Sequence, residues 1–210
     1  MNVHHFIELA AAIIGLLYVR KNPSQFFVLL LAYLLLSFIV DLTGNIIYLY
    51  YSPNNSWLYN IYDVIKHLLL ILMFTFISNR PAKSYWMYAG IYCAVLAFDI
   101  TQASTINDFF AFSTIAADLI LIFLSLQFYY RLLKNPEHQS LLKHPYFWFA
   151  NGILFFFLCV LPYHVLWTPM VMKEVDYDRT FYDIIINIAI VLHYTCLSIA
   201  FIVCKYQKAK

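Results

Sequence analysis

Seven apolar runs follow one another along the chain, at about 4–19, 26–49, 57–78, 85–103, 109–131, 146–166 and 181–204. A helix crossing the hydrocarbon core of a bilayer takes roughly 17–25 mostly apolar residues. The fourth run is the weakest of the seven. Between the runs lie helix breakers: Lys21-Asn22-Pro23, Ser52-Pro53-Asn54-Asn55-Ser56, Asn79-Arg80-Pro81, Ala103-Ser104, Asn135-Pro136 and a longer stretch from Thr168 to Arg179. Connections this short make neighbouring helices antiparallel hairpins. The pattern therefore predicts an all-α membrane protein, a seven-transmembrane-helix bundle forming one domain over residues 1–210. No internal repeat of fixed period is visible.

Composition agrees. Hydrophobic residues make up 63% of the chain and charged residues 11%, with a mean hydropathy of +0.73. A water-soluble domain is about half apolar and about a quarter charged, and could not hide this much apolar surface from water. Lipid as the solvent removes that difficulty. Cys93, Cys159, Cys196 and Cys204 all lie inside apolar runs, without the spacing of a metal or redox motif, and read as small packing residues.

Charge then supplies an orientation. Ten of the thirteen Lys and Arg residues fall in segments on one side of the predicted spans, from Arg20 and Lys21 through Arg131 and Lys143 to Lys205–Lys210. Lys173 and Arg179 lie on the other side, and Lys66 within a span. The positive-inside rule puts the N-terminus outside, and an odd number of spans puts the C-terminus in the cytoplasm. Tyrosine and tryptophan gather near span ends, as in interfacial belts.

The polar residues within the spans carry the functional signal, because ionisable groups at membrane depth are costly. Ser37, Asp41 and Asn45 recur every four residues and form one stripe on the second span. Asn60, Asp63, Lys66 and His67 mark the outer part of the third. Asp99 lies near the outer end of the fourth, and Thr114 and Asp118 are one turn apart on the fifth. Asp183 and Asn187 are one turn apart on the seventh, with His193 deeper. In this orientation the membrane-embedded acids all lie toward the outside.

One reading of this asymmetry is structural: acids paired with Lys66, His67, Asn or Tyr glue the helices together, with Asp63 and Lys66 such a pair. The other is an outward-facing polar cavity whose ligand-binding residues are Asp41, Asn45, Asp63, Lys66, His67, Asp99, Asp118, Asn187 and His193. A surplus of acids favours a cavity holding a cation, a metal or a proton. For a metal, His4 or His5 with Glu8 has helical ligand spacing, a weak candidate set. The identity of any cofactor is left open.

Enzyme motifs are missing. The seventh span has His193 but Leu197 four residues later, so the His pair of adiponectin-receptor-type zinc hydrolases is lacking, and no G-x-S-x-G occurs. Lys205 lies beyond the seventh span, which does not suit a retinal Schiff base.

Three segments carry a resemblance: Ile13-Ile14-Gly15-Leu16-Leu17-Tyr18 before Arg20-Lys21, Asn55-Ser56-Trp57-Leu58-Tyr59-Asn60-Ile61-Tyr62-Asp63, and His144-Pro145-Tyr146-Phe147-Trp148. Together they resemble small uncharacterised seven-helix proteins of Bacteroidetes. The resemblance implies a bacterial inner membrane and a sensing role beside signalling proteins, and supplies no catalytic residues.

The leading expectation is a receptor or sensor module that signals through a protein partner or a homo-oligomer in the lipid bilayer, with no nucleic acid involved. The basic segments Arg131–Lys143 and Lys205–Lys210 would be its inner contact surfaces. The alternative is a structural or pore-forming effector subunit of a membrane complex, antiviral defence included. A membrane-embedded lipid-modifying enzyme ranks third.

Overall fold

The computed structural model describes residues 3–20, 24–51, 54–78, 82–105, 108, 110–134, 141–172 and 180–207. Among them are seven α-helices and no strand. They are α1 (Val3–Val19), α2 (Gln25–Tyr50), α3 (Ser56–Ile77), α4 (Ala82–Gln102), α5 (Ala111–Lys134), α6 (Pro145–Met172) and α7 (Thr180–Gln207). Each predicted run is therefore a helix. Five contain stretches long and apolar enough to cross a membrane: α2, α3, α5, Pro145–Leu166 of α6 and Ile184–Cys204 of α7. The chain is accordingly a helical integral membrane protein. In α1 the apolar stretch His4–Val19 is shorter, and α4 stays outside the set. Lys83, Ser84, Asp99, Thr101 and Gln102 dilute the apolar character of α4.

The boundaries follow local chemistry. Ser24, in extended conformation, caps α2 by accepting the Phe27 amide on its side chain at 3.5 Å. Pro145 occupies the first position of α6, where its missing amide costs nothing. At the other end α6 departs from expectation, since it continues to Met172 where the breakers predicted a loop from Thr168. Pro169 removes one donor, but its fixed φ is helical, so the helix can pass through it.

The chain forms two compact units, Met1–Ala117 and Asp118–Lys210, divided within α5. In the first, α1 packs on α2, α2 on α3 and α3 on α4. Asn55 ties the α2–α3 hairpin by donating its amide to the Gly44 carbonyl at 2.8 Å. Gly44 itself makes room for a ring: a Cβ there would fall 2.9 Å from Tyr59 Cζ. Phe27, Leu30, Leu34, Leu70, Ile71 and Phe74 fill the core of this unit. In the second unit α6 and α7 pack extensively, and a 3₁₀ turn at Leu141–Lys143 touches both. Phe149, Ile153, Phe157, Leu197 and Phe201 are its buried apolar residues.

Large apolar side chains also point outward on most helices, among them Leu16, Leu17, Ile39, Phe123, Phe155 and Ile188. In water these would be a liability, whereas against lipid tails they are at no disadvantage. None of the four cysteines, all of them among the described residues, forms a disulfide.

Candidate functional site

The first polar cluster lies where α1, α2 and α3 meet. Helical spacing puts His5 and Glu8, three residues apart, on one face of α1. Both are almost fully buried, at 2% and 1% exposure. Glu8, His4, His5 and Lys66 all lie near enough to the Asp41 carboxyl of α2 to act on it electrostatically. The His4 and His5 rings stack, with centroids 4.3 Å apart. One turn before Asp41, Ser37 donates its hydroxyl to the Tyr33 carbonyl at 3.0 Å. Its single proton is thereby committed. The 2.6 Å contact between Ser37 and Tyr62 then has the Tyr62 hydroxyl as donor, which bolts α3 to α2. Lys66 pairs with Asp63 at 2.5 Å and lies over the Tyr62 ring. The stripe Ser37–Asp41–Asn45 is thus real, and α1 closes over its middle.

A second set of contacts joins α3, α4 and the start of α5. Asp99 is 6% exposed and accepts the Ser113 amide at 2.6 Å, so a side chain on α4 caps α5. Asn60 donates its amide to the Asp108 carbonyl at 2.9 Å, tethering the α4–α5 turn to α3. Within that turn the Asp108 carboxylate accepts the Ser104 and Thr105 amides at 2.7 and 3.0 Å, and the Thr105 hydroxyl at 3.1 Å. These donors hold the Asp108 carboxyl below its ordinary value, the Thr105 amide first among them. A depressed carboxylate stabilises the turn above the ordinary Asp pKa of about 4, and that contribution is lost as pH falls through the depressed value. Amide exchange at Ser104 and Thr105 is therefore expected to stay slow at neutral pH and to lose protection in acid. Asp108→Asn should abolish that acid dependence.

Beside this turn lies a cavity of about 420 Å³, lined by Asn60, Ile61, Val64, Leu96, Ile100 and Phe110 with Ala103, Ser104 and Thr105. Its walls are mostly apolar, and its polar groups gather at the turn. Asp63, Asn60, Tyr92, Ser113 and Thr114 border a neighbouring crevice without room for a water. His67 is fully buried, edge-on to Tyr92 of α4 at 5.6 Å.

The second unit holds its own polar pairs. Asp118, fully buried, meets His164 of α6 at 2.7 Å. Tyr129 donates its hydroxyl to Asn151 at 2.5 Å. His193 sits 2.9 Å from the Gly152 carbonyl through Nδ1, which must therefore carry the proton. Phe156 and Tyr194 flank its ring. Asn187 is exposed, and the Asp183 side chain lies outside the described residues.

The expected ligand residues thus do different things. Asp41, Asp63 and Lys66 come together with His4, His5 and Glu8. Asn45 is half-buried on the same stripe. His67 and Asp99 serve contacts to α4 and α5, while Asp118 and His193 anchor helix pairs in the second unit. Sequence reasoning missed His164 and Asn60's tether. A histidine inside an apolar run was a usable signal for the first. Among the described residues no three His, Cys, Asp or Glu side chains are placed to hold a metal ion, so His4, His5 and Glu8 do not form a ligand set. No family model, curated protein or solved structure matches the chain.

Proposed function

We propose that the chain is a seven-span membrane sensor, N-terminus outside, whose ligand is a small amphiphile bound in the cavity between α3, α4 and the α4–α5 turn. The observation that carries this reading is the cavity itself. About 420 Å³ lies within the usual range of small-molecule sites, roughly 300–1,000 Å³, and apolar walls with a few convergent polar groups suit a ligand with a tail and a head. Asn60, Ser104 and Thr105 would meet the head. Because Asn60 ties the turn to α3, and Asp99 ties the two helices that the turn connects, a ligand that shifts the turn would bias three helices at once.

The seven-span topology is supported by the lysine and arginine distribution together with the seven helices. It puts Arg131–Lys143 and Lys205–Lys210 in the cytoplasm, where they would engage the partner that carries the signal. A bacterial inner membrane rests on the sequence resemblance alone.

Ile61 lines the cavity yet is 46% exposed, so Ile61→Trp should fill the space without disturbing the core. With 11-(dansylamino)undecanoic acid as probe, wild type in zwitterionic nanodiscs is expected to show saturable binding. Ile61→Trp should weaken it at least tenfold with unchanged circular dichroism. Equal binding by the two proteins would sink the cavity as the site.

A further inference from the structure

On the reading that the cavity beside the α4–α5 turn is the ligand site, we infer that its ligands are single-chain amphiphiles with an ammonium head. Asp108 carries this step. Its carboxylate accepts the Ser104 and Thr105 amides at 2.7 and 3.0 Å and the Thr105 hydroxyl at 3.1 Å. Its backbone carbonyl accepts the Asn60 amide at 2.9 Å. Asn60, Ser104 and Thr105 all line the cavity, so the carboxylate is held at the polar end where the head would lie. Every one of its donors is neutral, and among the described residues no Lys, Arg or His pairs with it. Those donors, the Thr105 amide foremost, keep it charged at neutral pH. It is the one ionisable residue from Ala103 to Phe110.

The same bonds count against an anionic head. An anion at a turn is held by backbone N–H groups, and those of Ser104 and Thr105 already serve Asp108. Asn60 has committed an amide hydrogen to the Asp108 carbonyl. Lys66 of α3 is bonded to Asp63, and Lys83 lies in the first turn of α4, at the helix end away from this turn. Asp99, the other acid at this end of α4, also bonds a neutral donor, the Ser113 amide. A quaternary ammonium head needs no hydrogen-bond partner at all. It would feel the Asp108 charge across Ser104 and Thr105, and Phe110 lines the cavity with a ring that suits such a cation. Ile61, Leu96 and Ile100 remain for the tail.

Two probes that differ only in the head test this on the full chain in zwitterionic nanodiscs at low salt. They are 11-(dansylamino)undecyltrimethylammonium and 11-(dansylamino)undecanoic acid. After subtraction of empty nanodiscs, wild type is expected to bind the ammonium probe about fivefold more tightly, or better. Asp108→Asn should bring the ratio to about twofold or less, and high salt should shrink it in wild type, whatever the variant's folding. Ile61→Trp should weaken both probes by the same factor. If neither probe binds, or Ile61→Trp weakens neither, the cavity is not the site and the ammonium preference falls with it. If Ile61→Trp weakens both but wild type binds them equally, or binds the acid more tightly, the head preference alone is overturned. A preference that survives both Asp108→Asn and high salt would overturn it too. Displacement of the ammonium probe by lysophosphatidylethanolamine and by dodecyltrimethylammonium would support a lipid as the source. Displacement by the second alone would support a free amphiphile, and displacement by neither would overturn the proposal.

Discussion

Replacing His164 by leucine is expected to destabilise the second unit by about 3–5 kcal/mol, the cost of leaving a buried ionisable group without its partner. Asp118 is fully buried, and His164 meets it at 2.7 Å while itself only 17% exposed. Burying a charge is tolerable when its partner comes along and expensive when it does not. The double variant Asp118→Leu/His164→Leu removes both polar groups and places two aliphatic side chains there. It should therefore recover much of the loss, giving a coupling energy of several times the roughly 0.6 kcal/mol average for polar pairs between membrane helices. Reversible unfolding in mixed micelles, followed by circular dichroism, measures all four corners of the cycle. A single-variant cost below about 1 kcal/mol would show that the pair contributes no more than an exposed one.

The second large effect is steric. Gly152 lies at a close approach of α6 and α7: a Cβ there would fall 3.1 Å from Cys196 Cβ and 3.2 Å from the His193 carbonyl oxygen. Neither atom can swing aside like the end of a long side chain. Gly152→Val adds two further carbons to that contact, so the helices must part. Overpacking of this kind costs about 1–3 kcal/mol. The bond from His193 to the Gly152 carbonyl would lengthen with the separation, and the His193 Nδ1–H resonance should shift or broaden in the variant. Gly90 is the control, because a Cβ there meets nothing within 4 Å. Gly90→Ala is expected to leave stability unchanged or slightly raised in the same assay.

The helices were legible because hydropathy and breakers are local properties of the chain. Every predicted run is a helix, and Asp63 with Lys66 is the pair their three-residue spacing suggested. What failed was local as well: the breaker stretch from Thr168 signalled a stop, whereas α6 runs on through Pro169 to Met172. The site was legible in part. The stripe of Ser37, Asp41 and Asn45 could be read from its four-residue period, but its partners could not, because Tyr62 and Glu8 lie on other helices. Asp99 showed the opposite difficulty. As an acid within a span it looked like a ligand group, whereas its partner is a backbone amide, to which side-chain chemistry offers no clue. The cavity was the least visible feature, being shaped by Ile61, Leu96, Ile100 and Phe110, residues that any membrane helix contains.

The bond from Ser113 to Asp99 bears on how the chain is made. α4 is among the helices least able to enter a bilayer unaided, and it carries an acid whose donor lies on α5, fourteen residues further on. While α4 is leaving the ribosome, that donor does not yet exist. On the seven-span reading, α4 would linger at the translocon in contact with α3 until the first turn of α5 is synthesised, and the two would then pass into lipid together. Truncating nascent chains before and after Ser113 should therefore switch α4 from accessible to protected. On that reading the carboxyl group on α4 would be a timing device for biogenesis as well as a cap.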